Sequence, residues 1–180
     1  LKPEHSLQWE LGIRGSFLSD DIGVSATYFS ADLKDEINGF VYDPTTGGFT
    51  SSNIEDSSER SGVELEASYR FMEAWYLKGT YTYLDASQES SSSKVREVRR
   101  PMHSGAIVLK RTVSNAGTSL VISYTGEQVD DFFPPYPPYQ EKVDLKPFAT
   151  VDISERSPTA VDANAEPLAT NKLPDVFVAV

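Results

Sequence analysis

Apolar and polar side chains alternate through much of this chain. Val63, Leu65, Ala67, Tyr69 and Phe71 share one parity, and Gly62, Glu64, Glu66, Ser68 and Arg70 share the other. Successive strand side chains point to opposite faces, so this segment is a strand with one apolar and one charged face. Leu7, Trp9, Leu11, Ile13 and Phe17 alternate in the same way with Gln8, Glu10, Gly12, Arg14 and Ser16. Ile22, Val24, Ala26 and Tyr28 form the apolar side of a third strand, which is expected to run on through Lys34-Asp35-Glu36 towards Tyr42. Trp75, Leu77, Gly79, Tyr81 and Tyr83 follow, against Lys78, Thr80 and Thr82. The next strand carries Ile107, Leu109 and Val113 but breaks the rule twice: Val108 lies on the polar side and Arg111 on the apolar side. Leu120, Ile122 and Tyr124 make a further strand, and 148–153 begins another.

The connections alternate in length. Short turns are expected at 18–21, 72–74 and 114–117. Long loops are expected at 43–59, 86–98 and 130–146, marked by Pro, Gly, Ser and Asp. Outer-membrane barrels keep short turns on one side and long loops on the other. Trp9, Phe17, Tyr28, Phe71, Trp75, Tyr81, Tyr83 and Tyr124 lie near strand ends, where interfacial girdles form. The predicted class is all-β: an antiparallel up-and-down meander of six or seven strands, forming part of a transmembrane β-barrel. A soluble sheet with one face on a core gives the same alternation, so a secreted carbohydrate-binding β-sandwich stays open. A passive porin-like or small structural barrel also stays open.

Composition narrows this further. No run of 18 apolar residues is present, which argues against a membrane helix but not against membrane strands. The chain has no cysteine, hence no disulfide or thiolate metal site. Its net charge of −11 argues against a nucleic-acid partner. It starts at Leu1 without a secretory-signal pattern, the expectation for a processed chain or an internal piece.

Three segments together resemble the C-terminal half of the barrel of TonB-dependent outer-membrane receptors, which import siderophores and vitamin B12. Leu1-Lys2-Pro3-Glu4-His5-Ser6 with Trp9-Glu10-Leu11-Gly12 is similar to that family's Leu-Lys-Pro-Glu element and following strand. Arg60-Ser61-Gly62-Val63-Glu64-Leu65-Glu66 resembles its Gly-Val-Glu strand. Tyr81-Thr82-Tyr83-Leu84-Asp85-Ala86 and Arg99-Arg100-Pro101-Met102-His103-Ser104 resemble the strand and loop after it. The resemblance covers residues 1–155. It implies energised uptake of a scarce ligand, such as a metal chelate, through an outer-membrane barrel filled by a plug domain and driven by the TonB complex. Plug and TonB-contacting segments are expected upstream. The tail 156–180 has Pro at 158, 167 and 174 and no alternation, and it departs from the family's closing strands. About seven strands cannot close the 22-stranded plugged barrel of such transporters.

Catalysis is not expected. His103 and Ser104 are neighbours on a strand and point apart, and no acidic partner is evident. No cofactor is expected. The acidic pairs Asp20-Asp21 and Asp130-Asp131 lack the ligand spacing of a calcium loop. Glu10, Arg14, Glu64, Glu66, Arg70 and Lys78 are the expected lumen-facing, plug-contacting residues, with Arg14, Arg70 and Lys78 as candidate partners for Glu64 and Glu66. Phe132, Phe133, Tyr136 and Tyr139 sit in a Pro-rich loop that loses little entropy on ordering and offers aromatic contact area to a ligand. Arg99 and Arg100 are candidates for an anionic ligand, with Arg96 beside them.

Overall fold

The computed structural model describes residues 1–37, 41–53, 57–90, 93–114, 116–137 and 141–156. The expectations for Tyr139 and for the tail beyond Arg156 lie outside these residues. Among these described residues there are twelve strands: β1 (His5–Phe17), β2 (Ile22–Lys34), β3 (Val41–Asp43), β4 (Gly48–Thr50), β5 (Ser58–Phe71), β6 (Trp75–Ser90), β7 (Ser93–Arg96), β8 (His103–Val113), β9 (Ala116–Thr125), β10 (Gln128–Phe132), β11 (Glu141–Leu145) and β12 (Phe148–Arg156). The main sheet runs β1-β2-β5-β6-β8-β9-β12, with β7 also on β6. Each pair of strands is antiparallel, and neighbours follow chain order. A lone parallel bridge, Val98 to Val129, lies outside this ladder.

Register turns the alternation of each strand into two continuous faces. One row across the sheet reads Ile13, Ala26, Leu65, Tyr81, Gly105, Tyr124, Ala149. The row beside it, pointing the other way, reads Arg14, Ser25, Glu66, Thr80, Ala106, Ser123, Thr150. Among the described residues the apolar face has no second layer on it. Leu65 and Ile107 sit on central strands yet keep 44% and 53% of their surface exposed. A sandwich would cover these residues; a barrel wall presents them to lipid. From Leu7 to Phe17 the chain advances about 33 Å, which at the usual barrel tilt spans roughly 25 Å of bilayer.

The faces exchange character towards the long loops. Phe29, Ala31, Leu84 and Ala86 belong to the polar parity, yet they are apolar and buried. On the other parity at that level stand Ser30, Asp32, Ser61 and Asp85. The strands have left the lipid there, and the inner side carries a small core. Gly62 is part of it. A Cβ at Gly62 would collide with the carbonyl oxygen of Tyr83 and approach Phe29 Cζ to 2.7 Å, so the Phe29 ring takes the place of a side chain.

The short turns are tight. Leu18, Ser19 and Asp20, and then Met72 and Glu73, hold positive φ without glycine. Turns of this hand match the twist of the strands they join.

The long loops differ from expectation. β2 ends at Lys34, where Asp35 takes φ 55°, and does not run through to Tyr42. The expected loops at 43–59, 86–98 and 130–146 contain β3–β4, the end of β6 with β7, and β10–β11, while β5 starts at Ser58. Outside the bilayer both faces of a hairpin are wet, so polar sequence continues a ladder that the apolar alternation no longer marks.

The two faces give a direct test. In the complete protein in bilayers, single cysteines replacing Val63, Leu65, Ala67 and Tyr69 should react with a lipid-phase probe. Those replacing Glu64, Glu66, Ser68 and Arg70 should not. Reaction at neither set would refute a membrane wall, and reaction at the even set would reverse the faces.

Candidate functional site

The six charged residues expected in the lumen share the polar face. Glu66 and Lys78 form an ion pair at 2.9 Å. Gln8 Nε2 donates to Glu10 Oε1 at 2.7 Å. Glu64 is on this face, one two-residue step nearer the long loops than Glu66. Register also sorts the charges by height. Glu10, Glu64 and Glu66 lie towards the middle and the long loops. Arg14, Lys78 and Arg70 lie at or below Glu66, with Lys110 level with Arg70. The signs are mixed along the whole face, since Asp152 stands level with Lys78 and Arg60 lies at the long-loop end.

At the long-loop end, three distant segments meet in a charged knot. Arg60 Nε donates to both carboxylate oxygens of Glu97 at 3.0 Å. Its Nη2 reaches Glu36 at 3.1 Å. Ser58, almost fully buried, donates its hydroxyl to Glu36 at 3.0 Å. Arg100 approaches Glu97 at 3.5 Å. Two cations and two carboxylates balance one another, which suits their burial beside Phe29 and Ala86. Glu97 begins an excursion out of the sheet: its N–H donates to Ala86 O, and the ladder resumes where Leu84 N–H donates to Met102 O.

That excursion also holds the β10–β11 hairpin. Arg99, at φ 59°, donates its N–H to Val129 O at 2.7 Å and its Nε to Asp130 at 2.8 Å. The Arg99 guanidinium, helped by the Asp131 N–H, holds the Asp130 carboxyl below the usual range. Lys142 stands 3.7 Å from Asp131. Arg99 and Arg100 are thus both ion-paired. Phe132, Phe133 and Tyr136 project at the hairpin end, each more than half exposed. The opening segment docks on the first long loop. Lys2 exchanges hydrogen bonds with the Asn53 side chain, and Glu4 accepts one from Ile37 N–H at 2.5 Å.

No catalytic arrangement forms around His103. Its Nδ1 shares a hydrogen bond with the Tyr81 hydroxyl at 2.8 Å, and its ring lies against Tyr81 and Tyr83 on the apolar parity. Ser104 faces the other way.

The family description "TonB dependent receptor-like, beta-barrel" matches residues 1–156. The chain belongs to the TonB-dependent receptor β-barrel family. TonB-dependent receptors are outer-membrane transporters, not enzymes. Solved structures agree on the fold. The pyoverdine receptor FpvA of Pseudomonas aeruginosa superposes with a TM-score of 0.64 at 17% identity, over 85% of this chain and 23% of that one. The siderophore receptor PirA of Acinetobacter baumannii gives 0.62 at 20%, over 86% and 26%. The copper transporter OprC gives 0.61 at 18%, over 84% and 23%. This chain spans about a quarter of the length of each.

Sequence reasoning missed the knot. Arg60 and Glu97 stand 37 positions apart and carry no local signature of their pairing. The core beneath them was visible, because Phe29, Ala31 and Leu33 fall on the wrong parity of an otherwise regular strand.

Exposure ranks the two arginine contacts. The Arg60 and Glu97 side chains keep 16% and 10% of their surface, whereas Arg99 keeps 71%. Glu97→Ala in the complete receptor should cost roughly 2 kcal/mol, since the half-buried Arg60 keeps Glu36 but loses the carboxylate that accepts from its Nε. Arg99→Ala should cost less than about 1 kcal/mol. Thermal loss of the folded band on gels measures both, and equal shifts would refute the ranking.

Proposed function

We propose that this chain is a section of the wall of an outer-membrane TonB-dependent transporter for a scarce ligand, of the siderophore-iron or cobalamin type. The observation that carries the reading is the pair of registered faces, apolar outward and charged inward, over the span matched by the family. FpvA and PirA are receptors for siderophores and OprC is a copper transporter, so a metal or its chelate is the favoured class of cargo.

In this reading the long-loop end faces outside the cell. Phe132, Phe133 and Tyr136, with Tyr139 in the same loop, offer aromatic surface to the ligand. Arg99 and Arg100 hold that hairpin to the knot and turn their remaining N–H groups to an anionic chelate. Glu10, Arg14, Glu64, Glu66, Arg70 and Lys78 contact the plug domain carried by the rest of the receptor. β1 and β12 lie at opposite ends of the sheet, so the wall is closed by further strands.

Uptake by cells carrying the complete receptor tests this. Labelled ferric siderophores, cobalamin and copper should be offered with and without a working TonB complex. At least one should enter only when TonB works. Phe133→Ala with Tyr136→Ala should lower its uptake about tenfold at equal surface expression, the order expected for losing two aromatic contacts. Entry independent of TonB would favour a passive porin instead.

A further inference from the structure

Arg111 is a charge on the apolar face. Register puts it opposite Trp75 on one side and Thr118 on the other. All three belong to the parity of Leu109, Leu77 and Leu120, which faces lipid. The position is at the short-turn end, two residues from Val113, the last residue of β8. The Arg111 guanidinium carbon lies over the Trp75 ring at 5.6 Å from its centre. Trp75 in turn stacks on Phe71 at 6.2 Å, and Phe71 on Tyr69 at 5.2 Å. Among the described residues no carboxylate lies within ion-pair distance of Arg111. It is exposed.

We propose that Arg111 and Trp75 form a site for the phosphodiester of a phospholipid headgroup. The inference rests on the membrane-wall reading above, in which the short-turn end is periplasmic and its leaflet is phospholipid. A guanidinium on the lipid face is tolerated at the interface and not at the midplane. Stacking on Trp75 holds one face of the guanidinium and leaves its N–H edge free. That edge matches two phosphate oxygens at once. The aromatic row beside it, Trp75 and Phe71 at its own level with Tyr69 one step nearer the midplane, supplies a flat apolar surface for the glycerol and upper acyl chain. Lys110, the adjacent cation, belongs to the inner face and takes no part.

The test is native mass spectrometry of the complete receptor titrated with phosphatidylglycerol. Arg111→Gln should weaken the tightest lipid adduct about fivefold, the equivalent of one basic contact at a membrane surface. Trp75→Leu should weaken it in the same direction, because the guanidinium loses its support. Lys110→Gln should leave it unchanged, and millimolar inorganic phosphate should not displace it. Unchanged binding in Arg111→Gln, or an equal loss in Lys110→Gln, would overturn the site. Displacement by inorganic phosphate would make it a soluble-anion site and overturn the lipid assignment. Folded-band retention and TonB-dependent uptake are measured on the same variants. If both stay intact while lipid binding is unaltered, the lipid site fails alone; if the unmodified receptor does not insert into bilayers, the membrane-wall reading fails.

Discussion

Register is the constraint on which the rest of this structure depends. A sheet in lipid has to satisfy all of its backbone groups by pairing, and its outward side has to be apolar across the hydrocarbon, with a charge such as Arg111 confined to the edge. Because side chains repeat every two residues, a slip of one position in any ladder would carry charges into the hydrocarbon. The turns set that register. Phe17 pairs with Ile22 and Phe71 with Trp75, so each of these turns is closed by two apolar residues facing one another. The positive φ angles at Leu18 to Asp20 and at Met72 and Glu73 follow from this need. The turns are strained locally so that the long ladders stay in phase.

The same strands cross from one solvent into another, and their faces record it. Below the Tyr28–Val63–Tyr83 row the outward side is apolar. Above it, the outward side is Ser30, Ser61 and Asp85, and the apolar residues Phe29 and Leu84 have moved inward. Lipid no longer stabilises an apolar exterior there, so the chain builds a small core of the kind soluble proteins use. That core is too small to bury the long loops by itself. The Arg60–Glu97–Glu36 knot supplies what it lacks: direction. It fixes one loop from each side of β5 and β6, and through Arg99 it fixes the hairpin that bears Phe132 and Phe133.

How much of this the sequence shows depends on range. The opposition of Leu65 and Glu66 is a nearest-neighbour property, so alternation reveals it directly. The unequal connections are visible too, because turn chemistry is local. Strand ends are not, as β6 runs to Ser90 and β10–β11 lies in what reads as a Pro-rich loop. Once both faces of a ladder meet water, apolar spacing carries no information about it. The lumen residues Glu66 and Lys78 are readable as a face, and their pairing follows from one ladder. The knot needs three ladders and an excursion to be known first. Arg111 is the converse case. It looks like an error in the pattern until register places it over Trp75 at the edge of the apolar band.

The mixed charges of the inner face follow from the same geometry. Glu10 and Glu64 lie above the level shared by Arg14 and Glu66, and Lys78, Arg70 and Lys110 lie below it, with Asp152 level with Lys78. Only Glu66 and Lys78 neutralise each other within the wall among these described residues. An open sheet in water would gain little from such an ordered arrangement, because solvent screens exposed charges. Inside a closed wall the screening is weaker, so a charge held at a fixed height acts further than it does on an open sheet. Register sets those heights on one face by the same two-residue repeat that lines up the apolar rows on the other.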